Sequence, residues 1–148
     1  MTILALLFMV LMHIIEDFHV QGIMAQMKQR QWWCDTIAEY IVAHPSLNLS
    51  GEDFSNTYND HKIVLLLHGF EWSMFIHAPI IVSHIVYNGW GFSEGFLFVM
   101  CITVCLNAIV HAIVDNLKAN ARSISLVCDQ ACHIIQVVIT YILFEMIL

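Results

Sequence analysis

Charge is the scarcest thing in these 148 residues. Charged side chains make up 11% of the chain, against roughly 25% in soluble domains, too few to hold a folded surface in water. Only five are basic, and the formal charge is −7, so there is no basic stripe on which a nucleic acid would dock. Proline occurs twice and glycine six times, which leaves long helices with few interruptions. The five cysteines, Cys34, Cys101, Cys105, Cys128 and Cys132, are an odd count. Four of them lie in apolar stretches as i, i+4 pairs, which suits thiols packed in an apolar core better than a disulfide frame. A basic segment is missing ahead of the apolar run Met1 to Met12, and no small-residue cleavage site follows it, so the run reads as the start of a retained span and not as a signal peptide.

What is abundant is apolar surface. Hydrophobic residues are 59% of the chain and the mean hydropathy is +0.75, values that suit a lipid solvent. The expected fold is all-α: a polytopic integral membrane four-helix bundle forming one domain over residues 1–148. Four apolar segments, Thr2 to Met27, Ile63 to Tyr87, Phe92 to Leu117 and Ile124 to Leu148, are each long enough to cross about 30 Å of hydrocarbon. They must be helical, because backbone in lipid has to satisfy its own hydrogen bonds. Pro79 should kink the second, and Asn88, Gly89 and Gly91 mark a short hairpin into the third.

The one long connection, residues 28–62, begins with Trp32, Trp33, Ile37, Tyr40 and Ile41 among polar residues, the composition of an interfacial helix serving as an anchor. A polar stretch follows, in which the sequon Asn48-Leu49-Ser50 is read as accidental. All five basic residues, Lys28, Arg30, Lys62, Lys118 and Arg122, fall on the side of this connection. By the positive-inside rule that side is cytosolic, which puts both termini outside.

The spans carry ionisable side chains in a repeated arrangement. His13 and Asp17, His111 and Asp115, and Asp129 and His133 are each an imidazole and a carboxylate four residues apart, which on a helix is one face. The second span adds His68, with Glu71 three residues on. His68 is six residues from Lys62, His111 seven from Lys118, Asp129 seven from Arg122 and Asp17 eleven from Lys28. At 1.5 Å per residue, all four lie about 9 to 17 Å inside the basic markers. His13 and His133 are one turn deeper.

Seven groups at matching depth, His13, Asp17, His68, His111, Asp115, Asp129 and His133, have the donor types for one or two divalent ions, zinc first, with manganese or iron as alternatives. Buried aspartates need compensation, and Lys118 is the one cation expected within reach. Gln21 and Asn107, a turn from Asp17 and His111, together with Gln130 and Lys118, are placed to orient the ligands. Glu16 and Glu71 are open to either ligation or a role as base. His77 and His84 face away from His68 and are read as packing residues, and His19 is off the shared face. Cys128 and Cys132 are rotated about 100° from Asp129 and His133.

These same residues carry a resemblance. The runs HIIEDFHVQ with MAQMK downstream, LLLHGFEW, HAIVDNLK and DQACH resemble the family of small integral membrane proteins called domain of unknown function 3307, of bacteria and their phages, over nearly the whole chain. The positions that match its pattern are His13, Asp17, Gln21, Lys28, His68, His111, Asp115, Lys118, Asp129, Gln130 and His133. The insert between Lys28 and Lys62, His77 and His84 depart from it. The resemblance implies a bacterial cytoplasmic (inner) membrane and a likeness to bacterial membrane-bound proteins predicted to be metal-dependent hydrolases.

Three functions remain open. In the first, the ligands hold a metal that activates water against a phosphoester or acyl ester, with Glu71 or Asp17 accepting a proton; a lipid or other membrane-delivered small molecule would suit the depth. In the second, the same groups form an ion or proton relay, continued outward by His77, His84 and Glu94. In the third, a structural metal holds together a phage-type accessory membrane protein. A homo-oligomer is compatible with all three.

Overall fold

The structure, a computed structural model, describes residues 3–147. The expected ends of the first and last spans, Thr2 and Leu148, lie outside the described residues. Six α-helices carry the chain: α1 (Ile3–Ile15), α2 (Met24–Met27), α3 (Arg30–Ala43), α4 (His61–Asn88), α5 (Glu94–Ala119) and α6 (Leu126–Ile147). Among the described residues there is no strand. Four helical stretches, Ile3–Val20, Thr57–Asn88, Glu94–Ala119 and Leu126–Met146, are long and apolar enough to cross a membrane.

The first apolar segment differs from the single helix expected over Thr2 to Met27. After α1 the chain widens into a π-helical segment, Glu16–Val20, closed by the amide of Gln21 on the carbonyl of Glu16 at 3.3 Å. Gly22 then takes a left-handed φ of +49°, which breaks the helix before the short α2. Within this wide turn the consecutive carboxylates Glu16 and Asp17 both turn inward, their side chains 0% and 5% exposed. The second segment is the opposite case: α4 runs unbroken through Pro79 for 28 residues. Gly89, at φ +81°, ends it, and the Ser93 hydroxyl accepts from the Phe96 amide to start α5.

α1 packs on α4, α4 on α5, α5 on α6, and α6 back on α1, closing a four-helix ring. The tightest seam is α4 against α5. A Cβ on Gly69 would collide with the carbonyl of Ala108 and crowd the amide of Ala112, so the two backbones approach closely only because these three residues are small. The interior is unusual for its polarity. Met9, Trp72, Ile76, Ile80, Phe96, Val137 and Phe144 form an apolar core, yet the buried set also contains His13, Glu16, His68, Asp115, Asp129 and His133. Outward, the same helices present Ile3, Leu7, Leu67, Phe98, Leu106 and Ile139. Polar inside and apolar outside is the distribution that a lipid solvent favours.

The insert is a compact cap on one end of the ring. α3 lies against the turns at Gly51–Phe54 and Thr57–Asn59, with Tyr40 over His44 and Phe54. The backbone amide and hydroxyl of Ser50 donate to Asp53 and hold that carboxyl below its ordinary range. Asn120, just past α5, ties the cap down by accepting from the Arg30 amide and donating to the Lys28 carbonyl.

Candidate metal centre

Four elements deliver side chains to one point near the capped end. The π segment brings Glu16 and Asp17, α4 brings His68, α5 brings His111 and Asp115, and α6 brings Asp129 and His133. The close approach at Gly69 sets His68 Nε2 and His111 Nε2 only 3.2 Å apart. Around them, Asp115 Oδ2 is 3.4 Å from His68 Nε2 and 3.8 Å from His111 Nε2. Asp17 Oδ1 is 3.7 and 3.8 Å from the same two nitrogens. These lengths are close to the edges of a coordination tetrahedron, roughly 3.3 to 3.4 Å for an ion held at about 2.0 to 2.1 Å. A second cluster adjoins the first through the other oxygen of Asp115: Asp115 Oδ1 and Asp129 Oδ1 each lie 3.4 Å from His133 Nε2.

The hydrogen bonds settle which atoms are free to ligate. His133 donates from Nδ1 to Gln136 Oε1 at 3.1 Å, because the Gln136 amide nitrogen is itself donating to Asn107. Nε2 of a neutral His133 is therefore a lone pair aimed at the cluster. His68 has Nδ1 3.1 Å from Glu16 Oε1, a contact out of line for a hydrogen bond, and turns Nε2 toward His111 and Asp115. Buried atoms without a hydrogen bond gather at this one place: both oxygens of Glu16, Asp17 Oδ1, His68 Nδ1, His111 Nδ1, Asp129 Oδ1 and His133 Nε2. An uncompensated buried polar group is costly, and here they cluster on metal-ligating side chains. Three groups have donor atoms mutually within 4.8 Å: Asp17, His68 and His111; His111, Asp115 and His133; Glu16, His68 and Glu71.

Not every residue singled out in the sequence reaches the centre. His13 is fully buried, but both its nitrogens are engaged: Nδ1 accepts from Trp72 Nε1 at 2.8 Å, and Nε2 faces Gln130 Oε1 at 3.1 Å. It acts through Gln130, whose amide donates to Asp17 at 2.9 Å and Asp129 at 3.1 Å. Glu71 groups with Glu16 and His68 and not with Asp17, His111 or Asp115. Gln21 donates to the backbone carbonyl of Asp17 and not to its carboxylate. Asn107 supports Gln136, and so His133, with its own amide donating to Thr140; His111, its expected partner, it does not contact through a hydrogen bond. Lys118 pairs with Asp129 at 2.7 Å.

Lys118 is not the one cation within reach, as the sequence suggested. Lys28 Nζ is 2.6 Å from Asp115 Oδ2, because the break at Gly22 folds α2 back over the end of the ring and the Asn120 clamp fixes the Lys28 backbone. Trp72, which stacks on His111 with ring centroids 4.3 Å apart, and Gln136 were also missed; nothing in their spacing distinguishes them from core residues. His77 is satisfied by the Ser73 carbonyl and Thr103, and His84 by the Gly91 carbonyl with Phe92 and Phe96 against its ring. His19 is exposed.

The centre is reached from the capped end through a cleft of about 390 Å³, lined by Asp17, Gln21, Lys28, Asp115, Lys118 and Arg122 among others. Compared with family models, curated proteins and solved structures, the chain finds no match.

Proposed function

We propose that the chain is a membrane-embedded, metal-dependent hydrolase whose centre opens to the cytosolic face of a bacterial inner membrane. The observation that carries the reading is the convergence of histidine nitrogens and carboxylate oxygens within 3.2 to 3.8 Å of one another: His68 Nε2, His111 Nε2 and Asp115 Oδ2 would hold the ion, the two imidazoles giving up their mutual contact and Asp115 sharing its oxygen with Lys28, with Asp17 beside them at the cleft. Zinc suits three such nitrogen and oxygen donors with one open position; manganese or iron would also accept this donor set. Charge supports one resident ion. Four carboxylates (Glu16, Asp17, Asp115, Asp129) face two ammonium groups (Lys28, Lys118), leaving two negative charges, the deficit one divalent cation fills. The adjoining Asp115, Asp129 and His133 cluster could take a second ion when an anionic substrate balances it.

A bound ion would supply the Lewis acid that makes water nucleophilic near neutral pH. The protein does the rest. Asp17 Oδ1, unpaired and lining the cleft, accepts the proton from the attacking water. Gln130 fixes the other Asp17 oxygen, and Trp72 with the rings of His13 and His111 walls the inner side against solvent. The bond cleaved is a phosphoester or acyl ester of a lipid or other membrane-delivered molecule. The resemblance of the histidine and aspartate motifs to membrane-bound hydrolases points the same way. The four apolar helices with lipid-suited outer faces support membrane insertion, and the basic residues at the capped end support a cytosolic insert with both termini outside.

Elemental analysis of the detergent-purified protein beside His111→Ala tests the reading. One equivalent or more of zinc, manganese or iron, falling in the variant, is expected. Metal-free protein in both would overturn it and turn the buried histidines and carboxylates toward an ion relay.

A further inference from the structure

The hydrolase reading leaves the position of the remaining cations unexplained. Beside the cleft over the metal centre lies a second, of about 600 Å³, lined by Arg30, Asn59, His61, Lys62 and Arg122 among others. The two adjoin through Ala119 and Arg122, which line both. Between them the clefts take every lysine and arginine of a chain with only five. A positive-inside bias accounts for the end of the bundle on which these residues fall. It does not account for their convergence on two connected concavities.

The cations differ in what they face. Lys28 and Lys118 are paired with Asp115 and Asp129 beside the centre. Among the described residues, the side chains of Arg30, Lys62 and Arg122 make no ion pair with a carboxylate at all, in a protein of net charge −7. Arg122 also holds a φ of +52° just after α5, where glycine or asparagine is the rule. A side chain kept at a backbone position that disfavours it points to a use for that side chain. That use is at the junction of the two clefts, since the guanidinium presents several donors in a planar fork matched to phosphoryl oxygens.

We propose that the joined clefts bind a diphosphate group, one phosphoryl over Asp17 and Asp115 and the other between Arg30, Lys62 and Arg122. Two phosphoryl groups carry about three to four negative charges, against three cations without a carboxylate partner. The assignment narrows the substrate to a diphosphate and rests on the hydrolase reading for which phosphoryl reacts, though not for binding itself. A soluble diphosphate and a lipid-linked one share this chemistry.

The test is equilibrium dialysis of the detergent-solubilised full chain with labelled inorganic pyrophosphate in 0.15 M sodium chloride, with sulfate as competitor and metal content measured on the same samples. Binding of pyrophosphate at least tenfold tighter than sulfate is expected, weakened tenfold or more in Arg122→Gln, partly restored in Arg122→Lys, and with metal content unchanged in both. Farnesyl diphosphate binding tenfold tighter than pyrophosphate would support a lipid-linked ligand; equal binding would support a soluble one. Pyrophosphate no better than sulfate, or an Arg122→Gln protein that binds as the wild type does, would overturn the proposal. Metal-free protein that still binds pyrophosphate through Arg122 keeps it and removes the hydrolase reading instead.

Discussion

Whether a histidine is a ligand or a support is decided by its second nitrogen. His13, His68 and His133 all lie on inward faces and are equally buried, yet His13 has both nitrogens occupied by Trp72 and Gln130. His68 and His133 have Nδ1 directed at Glu16 and Gln136, leaving Nε2 for the centre. The same logic separates the aspartates. Asp115 offers each of its oxygens to a different cluster, whereas Asp17 keeps Oδ1 unpaired at the cleft. Asp115→Asn should therefore strip most of the bound metal, since it removes the charge and one shared donor. Asp17→Asn should retain at least half of it while abolishing hydrolysis of a chromogenic phosphoester. Metal content and turnover measured on the same preparations check this, and loss of metal in Asp17→Asn alone would reverse the two roles. The i, i+4 spacings made it legible in the sequence that these groups share helix faces. Which nitrogen is free depends on Gln136, Trp72 and Gln130, partners from other helices that no local pattern announces.

At the scale of elements, the site depends on two departures from regular helix geometry. One is the π segment, which turns neighbouring carboxylates Glu16 and Asp17 inward together; π turns of this kind recur at functional sites. The other is the seam at Gly69, where α4 meets the carbonyl of Ala108 one residue from His68. Gly69→Ala must push α4 and α5 apart and so lengthen the 3.2 Å between His68 and His111. We expect an overpacking cost of about 1–3 kcal/mol, read as a lower Tm in detergent, and a loss of bound metal larger than that of a control substitution at the outward-facing Leu106. Metal retained at wild-type level would show that the seam does not set the ligand distance. The four long apolar helices, and the approximate ends of the last three, were legible from hydropathy and length alone. The break at Gly22 was not, because the apolar character of Ile23, Met24 and Met27 continues past it, and with the break went the approach of Lys28 to Asp115. A glycine between two apolar runs carried the signal, but glycine within apolar helices is common enough to be read through.

For the whole molecule, insertion into a membrane would invert the usual source of stability. A bundle in lipid gains little from burying apolar side chains, because the surrounding hydrocarbon offers the same solvation. Packing at the Gly69 seam and the polar centre must then do more of the work of holding four helices in register. That centre has a deficit of positive charge: two lysines face four buried carboxylates, and several ligand atoms lack any hydrogen bond. A divalent ion binding only the assembled ring would stabilise it by mass action, by about 4 kcal/mol when free metal exceeds its Kd a thousandfold. Stripping the ion with a chelator should accordingly lower the Tm of the detergent-solubilised protein, and adding zinc back should restore it. His111→Ala, lacking one of the two facing nitrogens, should start with a lower Tm and respond weakly to either treatment. An unchanged wild-type Tm on chelation would mean that the helices hold the charged centre without an ion, by protonating some of its buried histidines, of which His68 and His111 can carry only one proton between their facing Nε2 atoms. The buried carboxylates would then be balanced by imidazolium, which is the charge state that a proton relay uses and a hydrolase of this design does not.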